Sequence, residues 1–144
     1  MQPDETDWKI IKLLSIQHES NAAIARKLSL SEGTVRQRIK RLLDCGLVRL
    51  RAVRNPNLLD NQQLAIVSAN VAESRLLDEK ASEIAKLKNV MSVSIVSGQY
   101  DLIIELLVDS NKGLMKFLTE ELSTVKGVSR TESFVILKSY DKWI

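Results

Sequence analysis

Residues 31–54 read SEGTVRQRIKRLLDCGLVRLRAVR, a stretch that combines an apolar stripe with a high density of positive charge. Val35, Ile39 and Leu42 follow one another at helical spacing, which predicts a helix with one buried face. Seven basic residues lie off this stripe, against only two acidic residues in the whole stretch. The stretch therefore predicts a helix and a following segment that present positive charge to a polyanion.

Two more short helices are predicted upstream of this stretch. The first is indicated by the apolar residues within 10–14, and Thr6 or Asp4 is suited to cap it. The second begins after Ser20, a favourable N-cap residue, and buries Ile24. The N-terminal third of the chain therefore reads as three short helices.

The last two of these helices are separated by only a few residues, around 28–30. Ser31 is a good N-cap for the third helix, which runs to about Asp44 and ends before Gly46. Two short helices, a tight turn and a basic second helix make a helix-turn-helix, in which the second helix enters the major groove of DNA.

The candidate DNA contacts fall into two groups. The groove-facing candidates lie at the start of the third helix and are Glu32, Gly33, Thr34, Arg36 and Gln37. Among these side chains, Gln pairs bidentately with adenine and Arg with guanine. The other basic residues are expected to hold phosphates, and these are Arg38, Lys40, Arg41, Arg49, Arg51 and Arg54.

The segment LVRLRAVR, residues 47–54, alternates apolar and basic residues with a period of two. This pattern predicts an extended wing beside the DNA, with Leu47, Val48 or Leu50 turned inward and the arginines outward.

Composition bounds the class of protein. The chain has 144 residues, 44% of them apolar, which supports a packed core and excludes extensive disorder. No apolar run reaches membrane-spanning length, and the polar, acidic N-terminus does not resemble a signal or transit peptide. The lone Cys45 cannot form an internal disulfide, which fits a reducing cytoplasm and a cytoplasmic location.

Charge is divided unevenly along the chain. Residues 1–62 carry 11 Lys and Arg and seven Asp and Glu, whereas residues 63–144 carry 10 and 11. The positive potential therefore belongs to the N-terminal part, and this asymmetry indicates that one part meets a polyanion while the other has a different task.

The second half follows a different pattern. Residues 55–63, NPNLLDNQQ, read as a hinge between domains. The segments beyond the hinge are expected to alternate as strand, helix, strand, strand, helix and strand, over residues 64–71, 74–88, 90–97, 100–109, 111–125 and 128–138. This βαββαβ order is the ferredoxin-like plan, with residues 98 and 99 in the turn between the second and third strands along the chain.

The strand predicted at 100–109 has apolar residues on both faces. One face packs against the helices, whereas Ile103 and Leu107 on the other face would be exposed to solvent in a monomer. We therefore expect a dimer formed through the C-terminal domain, which also suits the reading of two DNA half-sites.

Taken together, these features resemble the Lrp/AsnC (leucine-responsive, feast/famine) family of transcription regulators. The residues that carry the resemblance in the first half are Asp7, Ile10, Ile11, Leu13, Leu14, Leu30, Ser31, Val35, Arg38, Ile39, Leu42, Gly46, Leu47, Val48, Asn55 and Pro56. Those in the second half are Val96, Ser97, Gly98, Asp101, Gly127, Val128, Thr131, Ser133 and Val135. Ser29 stands where the family often has Gly, a backbone cost if this position is left-handed.

The resemblance implies an α+β protein with a winged helix-turn-helix domain at 1–54, a hinge at 55–63 and a ferredoxin-like effector-binding and oligomerisation domain at 64–144. It also implies a homodimer or octamer that regulates transcription on double-stranded DNA and responds to an amino acid bound at a subunit junction. The implied effector residues are Gly98, Tyr100, Asp101, Ser129, Thr131 and Ser133. Asp101 is suited to an α-amino group, and the hydroxyl or backbone N–H groups to a carboxylate.

Two other functions remain open at this point. Some tetrapyrrole decarboxylases resemble the same family in fold, but the lone His18 and the arginine-rich helix argue against an enzyme, and no cofactor or metal site is expected. An architectural protein that wraps DNA with little sequence preference is the other alternative.

Overall fold

The computed structural model describes residues 2–144. Contacts among these residues divide the chain into two compact units, and the boundary along the chain falls between Ala52 and Val53. The first unit holds α1 (Glu5–Ile16), α2 (Asn21–Leu28) and α3 (Glu32–Asp44). The three predicted helices are therefore confirmed.

Side-chain caps set the start of each helix in the first unit. Asp4 caps α1 in a reciprocal capping box with Asp7, while Ser20 and Ser31 cap α2 and α3 by accepting hydrogen bonds from backbone N–H groups. Ser29 ends α2 in the left-handed conformation, with φ 54° and ψ 44°. Ser29 therefore has the left-handed conformation that carries a backbone cost for a residue other than glycine.

A small apolar core holds the three helices together. Ile10 of α1, Ile24 of α2 and Val35 and Ile39 of α3 are buried against one another. The predicted stripe of α3 is confirmed, because Val35, Ile39 and Leu42 are its buried residues. Burial of this stripe leaves the other faces of α3 to water.

The wing predicted at 47–54 forms no β-strand within the described part of the chain. Of the three alternatives for the inward-facing residue, Val48 is partly buried, whereas Leu47 and Leu50 are exposed. The Val48 N–H donates to the Leu42 carbonyl at 3.2 Å. Alternation alone is not enough for a strand, because a ladder also needs a partner strand.

The second unit begins earlier than the sequence predicts. The backbone of Arg54 exchanges two hydrogen bonds with that of Ile144, at 2.6 and 3.0 Å. Within the predicted hinge, Pro56–Leu58 forms a turn of 3₁₀-helix, and the Asn57 side chain exchanges two hydrogen bonds with the Ser139 backbone. The hinge segment is thus attached to the second unit.

A four-stranded antiparallel sheet forms the second unit. Its strands are β1 (Gln63–Val71), β2 (Val90–Ile95), β3 (Leu102–Val108) and β4 (Val128–Val135), in the order β2-β3-β1-β4. With α4 (Leu77–Ala85) and α5 (Asn111–Lys116), the chain follows the predicted βαββαβ plan.

Helices cover one face of this sheet. Ala65, Val67 and Ala69 of β1 lie opposite Leu106, Ile104 and Leu102 of β3, and all six belong to the buried core with Ile84 and Phe117. The alternation predicted for β3 is confirmed, since Leu102 to Val108 alternate between buried and partly buried. The other face, which we call the open face, carries Ile66, Ile103, Glu105, Leu107 and Phe134.

Several predicted elements are shorter in the structure. The helix expected at 111–125 is α-helical only to Lys116 and continues as a π-helical turn, Phe117–Glu121, and a 3₁₀ turn, Leu122–Thr124. Residues 74–76 form a 3₁₀ turn before α4, and β4 stops at Val135 instead of residue 138.

Candidate nucleic-acid interface and effector site

The start of α3 presents the predicted groove-facing residues to solvent. Glu32, Gly33, Arg36 and Gln37 are exposed, while Thr34 is half-buried. Arg36 forms an ion pair with Glu32 one turn before it, at 3.0 Å. Such an exposed pair contributes little to stability, so the guanidinium is available to exchange its carboxylate partner for another acceptor.

Two of the predicted phosphate contacts are held by carboxylates of the first unit. Arg38 donates from Nη1 to Asp4 Oδ2 at 2.7 Å and to Asp7 Oδ1 at 2.8 Å. Arg41 donates from Nη2 to both oxygens of Asp7, at 3.1 and 2.8 Å. We call these four residues the Asp7 cluster, and it links the start of α1 to the middle and the last turn of α3.

Asp7 is fully buried, yet it is ionised in this setting. Burial opposes ionisation, but the Asp4 N–H, the Arg38 guanidinium and the charge of Arg41 together hold the pKa of Asp7 below its ordinary value. The hydrogen bond from Arg38 likewise lowers the pKa of Asp4. Asp7 is one of the residues that carry the family resemblance, but no pattern in the sequence indicates that it holds two arginines.

The remaining residues predicted to hold phosphates are cations on the surface. Lys40, Arg49 and Arg51 are exposed in the first unit. Arg54 is also exposed, but its backbone pairs with Ile144 and thus belongs to the second unit.

In the second unit, the turn that joins β2 to β3 holds three of the predicted effector residues. Gly98 is exposed with φ 148°, a backbone conformation that side-chain-bearing residues rarely adopt. Tyr100 donates from its hydroxyl to Glu132 Oε2 at 2.8 Å, and the Arg130 guanidinium lies 5.7 Å from the centre of the Tyr100 ring. The hydrogen bond to Glu132 raises the pKa of Tyr100.

Asp101 has a structural role of its own. Its Oδ2 accepts the Val71 N–H at 2.9 Å, and its N–H donates to the Ala69 carbonyl and to Asn70 Oδ1, each at 3.1 Å. These bonds fix the turn against the irregular end of β1, and they occupy one oxygen of the carboxylate that the sequence assigned to an effector.

The predicted effector residues of β4 lie on two faces of the sheet. The register shifts between Ala69 and Asn70, so that Ser129 lies opposite Asn70 while Thr131 lies opposite Ala69. Residues directly opposite each other share a face, which puts Thr131 and Ser133 on the helix-covered side and Ser129 and Glu132 on the open face. Ser129 thus lies opposite Asn70, whose Oδ1 accepts the Asp101 N–H, whereas Thr131 and Ser133 are opposite residues of the helix-covered face.

Three further residues contact or adjoin this turn but are not among the effector residues predicted from the sequence: Asn70, Arg130 and Glu132. Arg130 has φ 35° at the shift in register, and Glu132 contacts Tyr100. The two-residue alternation of a strand predicts that Thr131 and Ser133 lie on the opposite face from Glu132. The shift in register at Ala69 and Asn70, however, has no signal in the sequence.

The cavities do not unite the predicted effector residues. A cleft of about 250 Å³ lies beside Ser129 and Thr131 and is also lined by Leu118, Leu122 and Val125. Gly98, Tyr100 and Asp101 do not line it. Among residues 2–144, no group of three or more His, Cys, Asp or Glu side chains is placed to hold a metal ion. In the same range, no helix has the length and apolarity needed to cross a membrane.

A helix-turn-helix unit with an exposed basic helix, joined to a separate α+β unit, defines a two-domain DNA-binding regulator. Residues 3–49 match a family model described as winged helix-turn-helix DNA-binding, and residues 64–142 match the Lrp/AsnC ligand binding domain. An uncharacterised HTH-type transcriptional regulator of Pyrococcus furiosus is 33% identical over 97% of this chain and 95% of its own. The chain therefore belongs to the Lrp/AsnC family of transcriptional regulators.

Solved structures support the same fold. The leucine response regulatory protein LrpA of Mycobacterium tuberculosis is similar with a TM-score of 0.83 and 23% identity, covering 97% of this chain and 96% of its own. A feast or famine regulatory protein of the same organism, in complex with L-methionine, is similar with a TM-score of 0.79 and 23% identity, covering 96% and 95%.

Proposed function

We propose that α3 reads operator bases through Thr34, Arg36 and Gln37, and that Lys40, Arg49, Arg51 and Arg54 hold phosphates. The single observation that supports this most is the exposure of Arg36 and Gln37 beside the buried Val35, since a helix packed on that residue turns both side chains outward. Bases at the groove edge then meet a guanidinium and an amide with the donor patterns that distinguish guanine and adenine.

Selection of bound fragments from random duplexes, followed by binding titrations against salt, tests this proposal. Arg36→Ala should weaken binding to the selected site by about 1–3 kcal/mol and should affect random DNA much less. Arg51→Ala is the matched control, because loss of a phosphate contact should weaken binding to both DNAs alike and lower the salt slope by about one. Equal effects of Arg36→Ala on both DNAs would refute base reading. A parent protein that binds both DNAs equally would indicate an architectural protein.

We also propose that a free amino acid binds at the turn of residues 97–101 in an assembly of homodimers and controls DNA binding. Support comes from the exposed Gly98, the carboxylates of Asp101 and Glu132 and the cation of Arg130, which together offer partners for an α-amino and an α-carboxylate group. A related structure holds L-methionine. Binding to one of two assembly states more tightly than to the other is what would make the effector regulatory.

Calorimetry with L-methionine and the other amino acids tests the effector proposal. Asp101→Asn keeps an oxygen for the Val71 N–H but removes the negative charge, so it should preserve the fold and weaken effector binding about tenfold or more. Asp109→Asn, a change of the same type at an exposed position after β3, is the control and should bind as the parent does. If no amino acid binds the parent or changes its DNA affinity, the effector proposal fails and the DNA-binding proposal stands.

A further inference from the structure

The Asp7 cluster contains two carboxylates and two guanidinium groups, so its formal charge is zero. A neutral cluster gives DNA little long-range attraction, unlike the exposed cations Lys40 or Arg51. Any contribution of Arg38 and Arg41 to DNA binding must therefore come from the geometry of their donors at short range.

That geometry leaves part of each guanidinium available. Arg38 uses only Nη1 for the carboxylates and Arg41 only Nη2, so Nε and the other terminal nitrogen of each make no hydrogen bond within residues 2–144. The Arg38 side chain is 25% exposed and the Arg41 side chain 49% exposed. Both arginines therefore have donors to offer on the outer side of the cluster.

The two side chains also line one cavity. With Thr34 and Gln37 they enclose about 220 Å³ on the surface of α3. The walls are hydroxyl, amide and guanidinium groups, all of which donate hydrogen bonds, and no acidic residue among 2–144 lines the cavity. A tetrahedral oxyanion is the ligand that matches two guanidinium groups at close range.

We propose that Asp7 is a positioning residue for DNA binding, which orients Arg38 and Arg41 so that their free N–H groups jointly bind one phosphodiester of the DNA backbone. This inference rests on the proposed DNA-binding function and adds a buried residue that itself touches no DNA. The carboxylate of Asp7 accepts from both arginines while its backbone N–H is fixed by Asp4, so α1 sets the orientation of the guanidinium groups.

The sign of the effect of Asp7→Asn separates positioning from simple charge. If Asp7 were only a negative charge near phosphates, its neutralisation would tighten DNA binding. Under the positioning role, the amide presents a donor where Arg41 needs an acceptor, and the selected duplex should bind about tenfold more weakly at a temperature where circular dichroism shows a folded protein.

A scan with single methylphosphonate groups identifies the phosphate. At one position of the duplex, the parent should lose about tenfold in affinity, whereas Asp7→Asn should lose less than twofold, because the contact is already absent. Arg51→Gln is the matched control and should keep the full loss at that position. Unchanged or tighter binding by Asp7→Asn, or equal losses in Asp7→Asn and the parent at every position, would overturn the inference.

Arg41→Lys decides the question if Asp7→Asn does not fold. This variant keeps the charge of a half-exposed side chain but loses the fork that binds Asp7 and phosphate together. It should bind the selected duplex about tenfold more weakly and lose the methylphosphonate effect, and parent-like behaviour in both measurements would overturn the inference. A parent that binds duplex DNA while both variants match it refutes only the role of Asp7, whereas a parent that binds no duplex refutes the proposed function as well.

Discussion

At the scale of single residues, Asp7 makes the stability of the first unit depend on pH. Its pKa is lowered in the folded state, so its ionised form contributes stability above its ordinary value of 3.8, and this contribution is lost as the pH falls through the folded-state value. We expect the free energy of unfolding to decline below about pH 4. Urea titrations across the acid range check this, and Asp7→Asn should show a shallower decline and lose about 2 kcal/mol at neutral pH. Identical profiles for both proteins would contradict the prediction.

Ser29 carries a backbone cost that a single substitution removes. It ends α2 in the left-handed conformation, where Cβ approaches the following carbonyl oxygen. Ser29→Gly should therefore raise the free energy of unfolding by about 0.5–1 kcal/mol, measured by urea denaturation. Ser15→Gly, the same exchange in the last turn of α1, is the control and should lower it, since it removes the hydrogen bond from the Ser15 hydroxyl to the Ile11 carbonyl and glycine has a low helix propensity. A loss of stability in Ser29→Gly would contradict this interpretation.

At the scale of elements, the sequence predicts what local pattern controls. The stripe of α3 and the two-residue alternation of β3 are visible because burial selects apolar residues at a fixed spacing. The early end of α5 is not visible, because the apolar spacing of residues 111–125 is the same for an α-helix and for the π-helical turn at Phe117–Glu121. The pattern of residues 47–54 predicts a strand that the structure lacks, because no partner strand lies beside it within the described residues.

The candidate sites show the same limit. The exposed start of α3 follows directly from its helical pattern, and the structure presents it as predicted. The grouping of residues around the 97–101 turn depends on the shift in register between β1 and β4, which no local pattern encodes. The Asp7 cluster likewise joins residues about 31 positions apart, and only the packing of α1 on α3 reveals it.

Burial of the inner face of α2 controls the stability of the helix-turn-helix. Ile24 is fully buried between α1 and α3, so Ile24→Ala should lower the free energy of unfolding by about 3 kcal/mol. Ile16→Ala is the matched control, because Ile16 is 69% exposed and its truncation should change stability by less than about 0.5 kcal/mol. Denaturant titrations followed by circular dichroism check both values, and equal effects would contradict the core assignment.

At the scale of the whole molecule, charge and apolar surface are divided between the two units. The first unit carries the excess of positive charge, and the second has an open face on which Phe134 is exposed and Ile66, Ile103 and Leu107 are partly exposed. This division suits a protein that binds a polyanion with one unit and associates with further copies of itself through the other.

Self-association through the open face can be tested with one charge. Phe134 lies on this face opposite Ile66 and is 47% exposed, so Phe134→Lys should leave the fold intact and weaken self-association at least tenfold. Met115→Lys places the same charge on the exposed surface of α5 and should associate as the parent does. Sedimentation velocity over a range of concentrations measures the difference, and equal behaviour of both variants would refute the open face as the interface.

The exposed thiol at the end of α3 offers a single site for chemical labelling of the protein. Cys45 is the only cysteine of the sequence, and it directly follows the last residue of α3. A maleimide dye or nitroxide label will therefore attach at one place, without any engineered substitution. Energy transfer or dipolar spectroscopy between labelled copies would then report the distance between the α3 helices of two copies, with and without an amino acid.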